Sequence, residues 1–398
     1  MQIATNNRTA AALRTGRVHP IVTVVTIAAG SVFCAGGVAS SAYAQVLDQS
    51  ASYTYHYFAD SDNIHVHSHY TDYLLELENG ADFQVEWNRE VVIVPGVAAV
   101  PGSEEAADAI TSASRPIADV NDAFEDYTKL RDQIRADLEY RFASAGYYVS
   151  NETDYFAQQV SGGLNYGLFG DNTNLAIGSS YGWDDIQPLA DQDTEGLADS
   201  KSNTYWNAVV TQVLTRSTVL RIGGEMNIAR GILHNPYRNV YAGGGPEAEL
   251  HPDRRDRRDL FVKLNQYFTN RSSLNLSYKY YTDDWGIDSH TLGGRLNQYL
   301  TDDVLIRYRY RFYDQTASFF FMDEYPTAEG IDGYRTGDYR MGEFASHLFG
   351  TTLDWSLGNA LFQWGSVRRP KLVFKYERYF NSNNFSANIF ESGVAVNF

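Results

Sequence analysis

Three short runs in this chain carry side chains able to do chemistry. In Ile64-His65-Val66-His67-Ser68-His69-Tyr70 three histidines recur at i, i+2 and i+4. On a strand that spacing places all three on one face, roughly 7 Å apart. Imidazole suits Zn, Cu, Ni and Fe and titrates near neutral pH. His65, His67 and His69 are therefore a candidate divalent-metal or proton-responsive site; the other reading makes them polar residues lining a wet lumen. Asp283-Asp284, before Trp285, and Asp184-Asp185, after Trp183, are carboxylate pairs. Such pairs can hold Ca²⁺ or Mg²⁺ and bridge to lipopolysaccharide phosphates, or they are solvated turn residues beside an interfacial Trp. Arg307, Arg309 and Arg311 make a basic ladder of the same period. Facing a lumen, it either tunes pore selectivity or braces the interior by pairing with Glu225, Glu139 or Glu377. Bracing is favoured, because unpaired arginines so close would repel one another.

Little here looks catalytic. Asp288-Ser289-His290 contains the residue types of a triad, but neighbours on a strand point to opposite faces, so Ser289 and His290 cannot pair directly. There is no H-E-x-x-H and no phosphate loop. No enzyme activity, catalytic residue or bound cofactor is expected, with a divalent metal as the open alternative at the sites above. The only cysteine, Cys34, falls inside an N-terminal leader: Arg8, Arg14 and Arg17, then apolar Ile21 to Val38, then Ala42-Tyr43-Ala44. That pattern predicts a signal peptide of residues 1–44, with cleavage expected before Gln45. The remainder, 45–398, has neither disulfides nor thiolate ligands.

The elements that must position these residues are strands. Ile134, Ala136, Leu138, Tyr140 and Phe142 alternate with Arg135, Asp137, Glu139 and Arg141; Ile306, Tyr308, Tyr310 and Phe312 alternate with the arginine ladder. Such alternation fits both a soluble sandwich and a barrel in lipid. The connections separate the two. Short turns at 77–81, 143–145, 170–172, 215–217, 269–272 and 301–303 alternate over most of the chain with long, polar connections at 94–130, 184–203, 229–257 and 314–339; the outer connections 59–63 and 381–385 are short, and 357–370 is a long turn on the other side. A barrel with short periplasmic turns and long outer loops produces that rhythm, whereas a sandwich has no reason to. About 16 strands are expected, from 53–58 and 64–76 through 131–142 and 340–356 to 386–398. The last of these, ending at Phe398, should close the ring on Tyr53–Phe58. On this plan seven of the eight histidines beyond the leader lie toward the long-loop end, with His347 the exception.

Composition agrees. The chain has 29 Tyr, 21 Phe and a net charge of −17, which loss of the arginine-bearing leader makes more negative. That excludes a nucleic-acid binder, which would show a basic footprint. No run of ~18 apolar residues follows the leader, so no transmembrane helix is available.

A block of motifs resembles a known family. It comprises His234-Asn235-Pro236-Tyr237-Arg238-Asn239-Val240-Tyr241, His251-Pro252-Asp253-Arg254-Arg255, Ser277-Tyr278-Lys279-Tyr280-Tyr281-Thr282-Asp283-Asp284-Trp285-Gly286-Ile287 and Arg307-Tyr308-Arg309-Tyr310-Arg311-Phe312-Tyr313, with Asp108 to Pro116 upstream. It is similar to a proteobacterial family of exported β-barrel proteins known only by a domain-of-unknown-function label. The resemblance implies an outer-membrane barrel and brings no activity, substrate or catalytic residue with it. Members are sometimes encoded near thioredoxin-like and flavin-transfer proteins, which implies a periplasmic redox or metal-handling partner.

The expectation is an all-β, transmembrane antiparallel up-and-down barrel in the outer membrane of a Gram-negative bacterium. Its partners would be outer-membrane lipid, lipopolysaccharide and, through Phe398, the barrel-assembly machinery. A pore or conduit leads. A closed barrel that binds metal or surface ligands through rim histidines and acidic loops comes second, and an outer-membrane hydrolase comes last.

Overall fold

The computed structural model describes residues 45–60, 64–94, 127–188, 199–236, 238–357 and 368–397. The leader expected at 1–44 and Phe398, expected to be read by the assembly machinery, lie outside the described residues. Among the described residues there are eighteen strands. They are β1 (Val46–Asp60), β2 (His65–Leu77), β3 (Ala81–Val94), β4 (Tyr127–Tyr140), β5 (Ala143–Asn151), β6 (Tyr155–Leu168), β7 (Thr173–Ile186), β8 (Asp199–Thr215) and β9 (Thr218–Gly231). After the short hairpin β10 (Asn239–Ala242) and β11 (Gly245–Ala248) come β12 (Arg254–Phe268), β13 (Ser272–Asp283), β14 (Asp288–Tyr299), β15 (Val304–Gln315), β16 (Phe344–Ser356), β17 (Arg368–Asn381) and β18 (Ser386–Asn397).

All but β10 and β11 join one closed antiparallel barrel of 16 strands, each strand beside its neighbours in sequence order. β18 closes the ring on β1, with Tyr53 opposite Val394 and Phe58 opposite Ile389. Closure leaves no free edge, the condition under which a sheet can stand in lipid. The alternating sequence sets explain the strands, and solvent exposure shows which set faces out. Leu260 is 66% exposed and Ile177 62%, whereas Glu377 is 4% and Asp354 2%. A soluble sandwich would have these the other way round. The apolar set forms an outward belt and the charged set an inward wall, which is the polarity of a membrane barrel. Among the described residues no helix is long and apolar enough to cross a membrane.

Val46 and Asn397 lie at what we call the near end. Connections there are mostly tight (78–80, 141–142, 169–172, 216–217, 269–271 and 300–303), and long ones gather at the far end. Several expected boundaries move, among them the first strand from 53–58 to Val46–Asp60, and two of the shifts have a visible local setting. The turn expected at 143–145 falls at Arg141-Phe142, with Arg141 at φ 55°. Ser144-Ala145-Gly146 reads as turn chemistry, but Gly146 is needed on the wall, where a Cβ would lie 2.3 Å from Asp137 Oδ1. The strand expected at 340–356 starts only at Phe344. Residues Tyr339–Met341 form a 3₁₀ turn whose cap, Asp338, accepts a hydrogen bond from Arg340 N.

Candidate functional site

Residues opposite each other on paired strands share a face, so register assigns every side chain to lumen or lipid. Arg307, Arg309 and Arg311 fall opposite Thr352, Gly350 and Leu348 on the inward face, while Tyr308 and Tyr310 point outward. The expected bracing is present. Arg309 Nη1 donates to Glu377 Oε1 at 2.8 Å, and Lys375 stands 3.5 Å from the other oxygen. Glu377 lies flat over Gly350, where any Cβ would come within 2.9 Å of it. Arg307 and Lys371 both pair with Asp354. Of the other two carboxylates expected as partners, Glu225 faces Lys279 at 3.5 Å and Glu139 forms no ion pair among the described residues. Arg311 also forms none, and its guanidinium lies 5.6 Å from the centre of the Tyr313 ring.

The histidine ladder corrects the expectation of a lumen-lining face. His65, His67 and His69 share a face with Tyr57, Tyr55 and Tyr53, and those tyrosines lie opposite Phe390, Ser392 and Val394 of the outward belt. The three imidazoles therefore face outward. Each Nδ1 is taken by a tyrosine hydroxyl at 2.7 Å: Tyr57 with His65, Tyr55 with His67 and Tyr53 with His69. The same pairing recurs at Tyr278 with His290 (2.8 Å) and Tyr310 with His347 (3.0 Å). Among the described residues no group of three or more His, Cys, Asp or Glu side chains is placed to hold a metal ion. His347 is also no exception in height: β16 begins at Phe344, so this residue too lies near the far end.

Asp283 and Asp284 likewise do not form a cation pair. Oδ2 of Asp283 accepts from Arg255 (2.6 and 2.8 Å) and Tyr281 (2.6 Å), and Oδ1 accepts from the backbone N–H groups of Trp285 and Ile287. An ionised carboxylate has about four lone-pair sites, so Asp283 is saturated by its own chain. Asp284 Oδ1 accepts from Asp256 N at 2.9 Å. Asp184 takes the Tyr155 hydroxyl and lies 3.7 Å from Lys201.

Sequence reasoning also missed a folded cap at the far end. The β9–β12 connection, with its β10–β11 hairpin, packs against the β15–β16 connection around Val240, Ala242, Tyr325 and Ile331. Buried Glu249 ties the two together. It accepts from Thr336 Oγ1 (2.5 Å), Gly337 N (3.2 Å) and Asn235 N (3.0 Å). Arg238 lies 3.5 Å from Glu249 and 3.1 Å from Asp338. Burial alone would raise the Glu249 pKa, but the contacts of His251, Arg238 and Thr336 outweigh it and hold it at about 2. Asp338 is held at about 2, its burial outweighed by Arg340 and Arg238. The His234 imidazole is shifted down, first by burial and then by the nearby His251. The available signal was local: Gly243-Gly244 between two short β-prone runs is hairpin chemistry inside a long loop.

With the geometry in place, comparison with known proteins becomes informative. A family model described as "Protein of unknown function (DUF3570)" matches residues 25–208 and 190–366. The chain belongs to this family. No curated protein matches it. Solved structures of similar form include OpdK of Pseudomonas aeruginosa with vanillate, 9% identical over 88% of this chain and 98% of that one, with a TM-score of 0.44. A loop-deleted OmpT, an outer membrane protein of Vibrio cholerae, gives 8% over 89% and 99%, with 0.45. The siderophore receptor PirA of Pseudomonas aeruginosa gives 10% over 83% and 56%, with 0.39. Values this low carry nothing about function from those proteins to this family member.

Proposed function

We propose that this barrel is a conduit for small polar solutes in the outer membrane of a Gram-negative bacterium. One observation carries the reading: the inward wall holds charged side chains, among them Arg295, Arg311 and Glu86, that form no ion pair among the described residues. A wall built only to brace a sealed interior would pair its charges, because an unpaired charge away from water is costly. Sixteen strands enclose enough width for an aqueous channel. Purified protein in planar bilayers should give discrete conductance steps. A protein that inserts, shows the heat-dependent gel shift of a folded barrel and gives no steps would refute the conduit.

The cap favours a second reading, a barrel that binds its ligand at the far end. It rests on the ordered core and buried charges of 232–253 and 316–343. Deleting the β10–β11 hairpin distinguishes the two: a conduit keeps or gains conductance, while a cap-borne binding site loses its ligand. A redox or metal-handling accessory role is the finer form of either proposal. It predicts a periplasmic partner that copurifies through the near-end turns.

A further inference from the structure

Charge is sorted by sign across the width of the barrel. On β2–β4 the inward positions include Asp72, Asp82, Glu86, Glu90, Asp137 and Glu139. The bases among them are Arg131, engaged with Glu90, Arg135, engaged with Asp137, and Lys129, engaged with Glu152 and Asp154. On β9 and β12–β15 the balance is reversed. There Arg221, Lys263, Lys279, Arg295 and the ladder Arg307-Arg309-Arg311 point inward, with Glu225 and Asp259 both gathered on Lys279. In the ring order β3 and β13 stand half a circumference apart, as do β4 and β14. The acidic arc therefore faces the basic arc across the lumen. The remaining arcs add little unbalanced charge: β5–β7 show mostly Ser, Gly, Asn and Gln inward, and on β16–β18 Asp354, Lys371, Lys375, Glu377 and Glu391 pair with one another or with Arg307 and Arg309.

The unpaired charges follow the same division. Asp82, Glu86 and Glu139 on one side, and Arg221, Arg295 and Arg311 on the other, form no ion pair among the described residues. A low-dielectric wall focuses the field of such charges into the water it encloses, so the field runs across the channel, from β12–β15 towards β2–β4. An ion of either sign is drawn to one wall and repelled from the other. A solute carrying both charges a few ångströms apart can turn so that each end faces its opposite.

We infer that the lumen is a selectivity device for small zwitterionic solutes, which it orients across its width. This rests on the conduit reading above, and the test separates the two. Influx into proteoliposomes is compared for β-alanine, a zwitterion, and its uncharged isomer lactamide. The wild type should pass β-alanine several-fold faster. Arg295→Gln/Arg311→Gln, which removes unpaired charge from one wall, should bring the ratio close to one. Reversing both walls, Glu86→Arg/Asp82→Arg with Arg295→Glu/Arg311→Glu, should restore the preference, because a dipole can turn around. Each variant is compared only after its heat-dependent gel shift shows a folded barrel. Single Arg295→Gln and Glu86→Gln proteins serve where the multiple variants do not assemble. Conductance steps with equal influx of both isomers would overturn the zwitterion inference and leave the conduit standing. Absence of both steps and influx would overturn the two together.

Discussion

Two ladders of three residues share one spacing and face opposite sides of the wall. Arg307, Arg309 and Arg311 on β15 face inward, while His65, His67 and His69 on β2 face outward. Two rungs of the inward ladder, Arg307 and Arg309, are met by carboxylates from strands β16 and β17, Asp354 and Glu377, both almost wholly buried. The outward ladder is met by neutral hydroxyls from β1, one tyrosine to each imidazole. Identical periodicity thus gives charge compensation on one face and neutral hydrogen bonding on the other. The cause is dielectric: a charge facing hydrocarbon is costly, whereas a phenol–imidazole pair satisfies its polar atoms locally.

The largest effect that can sharpen this contrast comes from the cap, at the end where the histidine ladder begins. Glu249 and Asp338 titrate near 2 in the folded chain, against 4.5 and 3.8 as ordinary values. A depressed carboxyl stabilises the fold fully above its unfolded value and loses that contribution as pH falls through the folded one. His234, also depressed from 6.5, favours its neutral ring, so its contribution begins to fade below that pH. Acid should therefore loosen the cap by roughly 2–3 kcal/mol per carboxyl as pH drops from about 4.5 toward 2, with an earlier, smaller loss from His234 starting near 6.5. Hydrogen exchange in 232–253 and 316–343 should rise over that range ahead of exchange in β2. If β2 and the cap loosen together, the two regions are not independent.

Next in size, Asp354→Asn leaves Arg307 and Lys371 facing each other without their anion. Both cations are about one-third exposed, so a cost of about 2 kcal/mol is expected rather than the larger value for a fully buried pair. It should appear as a lower urea midpoint of the folded band. Arg311→Gln should leave that midpoint within about 0.5 kcal/mol, because Arg311 has no carboxylate partner among the described residues, yet shift the reversal potential toward cation passage. Unchanged selectivity would place Arg311 outside the conducting path. The smallest effect belongs to the outward ladder. Tyr55→Phe removes one hydroxyl from His67 and should cost about 0.5–1 kcal/mol with conductance unaltered. Replacing His65, His67 and His69 by Gln should leave Zn²⁺ affinity as in the wild type. A clear loss of affinity would break the comparison and reinstate a metal site.

Much of this was legible residue by residue. The arginine ladder could be assigned inward because Ile306, Tyr308, Tyr310 and Phe312 hold the other parity. The same signal was available for the histidines. They share parity with Tyr73 and Leu75, while Asp72 and Glu76 hold the opposite one, so carrying the phase along β2 places them outward. The saturation of Asp283 was only partly legible: Tyr281 shares its strand and face, but Arg255 is brought to it only by the pairing of β12 with β13. The cap was hidden for a similar reason: Glu249 and Thr336 stand on loops that nothing in local propensity joins.

By itself, then, the sequence determined the strands, the sharing of faces at every second residue, the short and long connections, and the closure of the last strand on the first. These follow from short-range geometry, since a period of two is set by the pleat and turn type by one or two residues. Only the tertiary structure decided which charges meet. Asp354 reaches Arg307 and Lys371 because register aligns three strands, and the acidic and basic arcs oppose each other because sixteen strands close into one ring. Separation across a ring depends on the number of strands and their order, and no local pattern in the chain contains it.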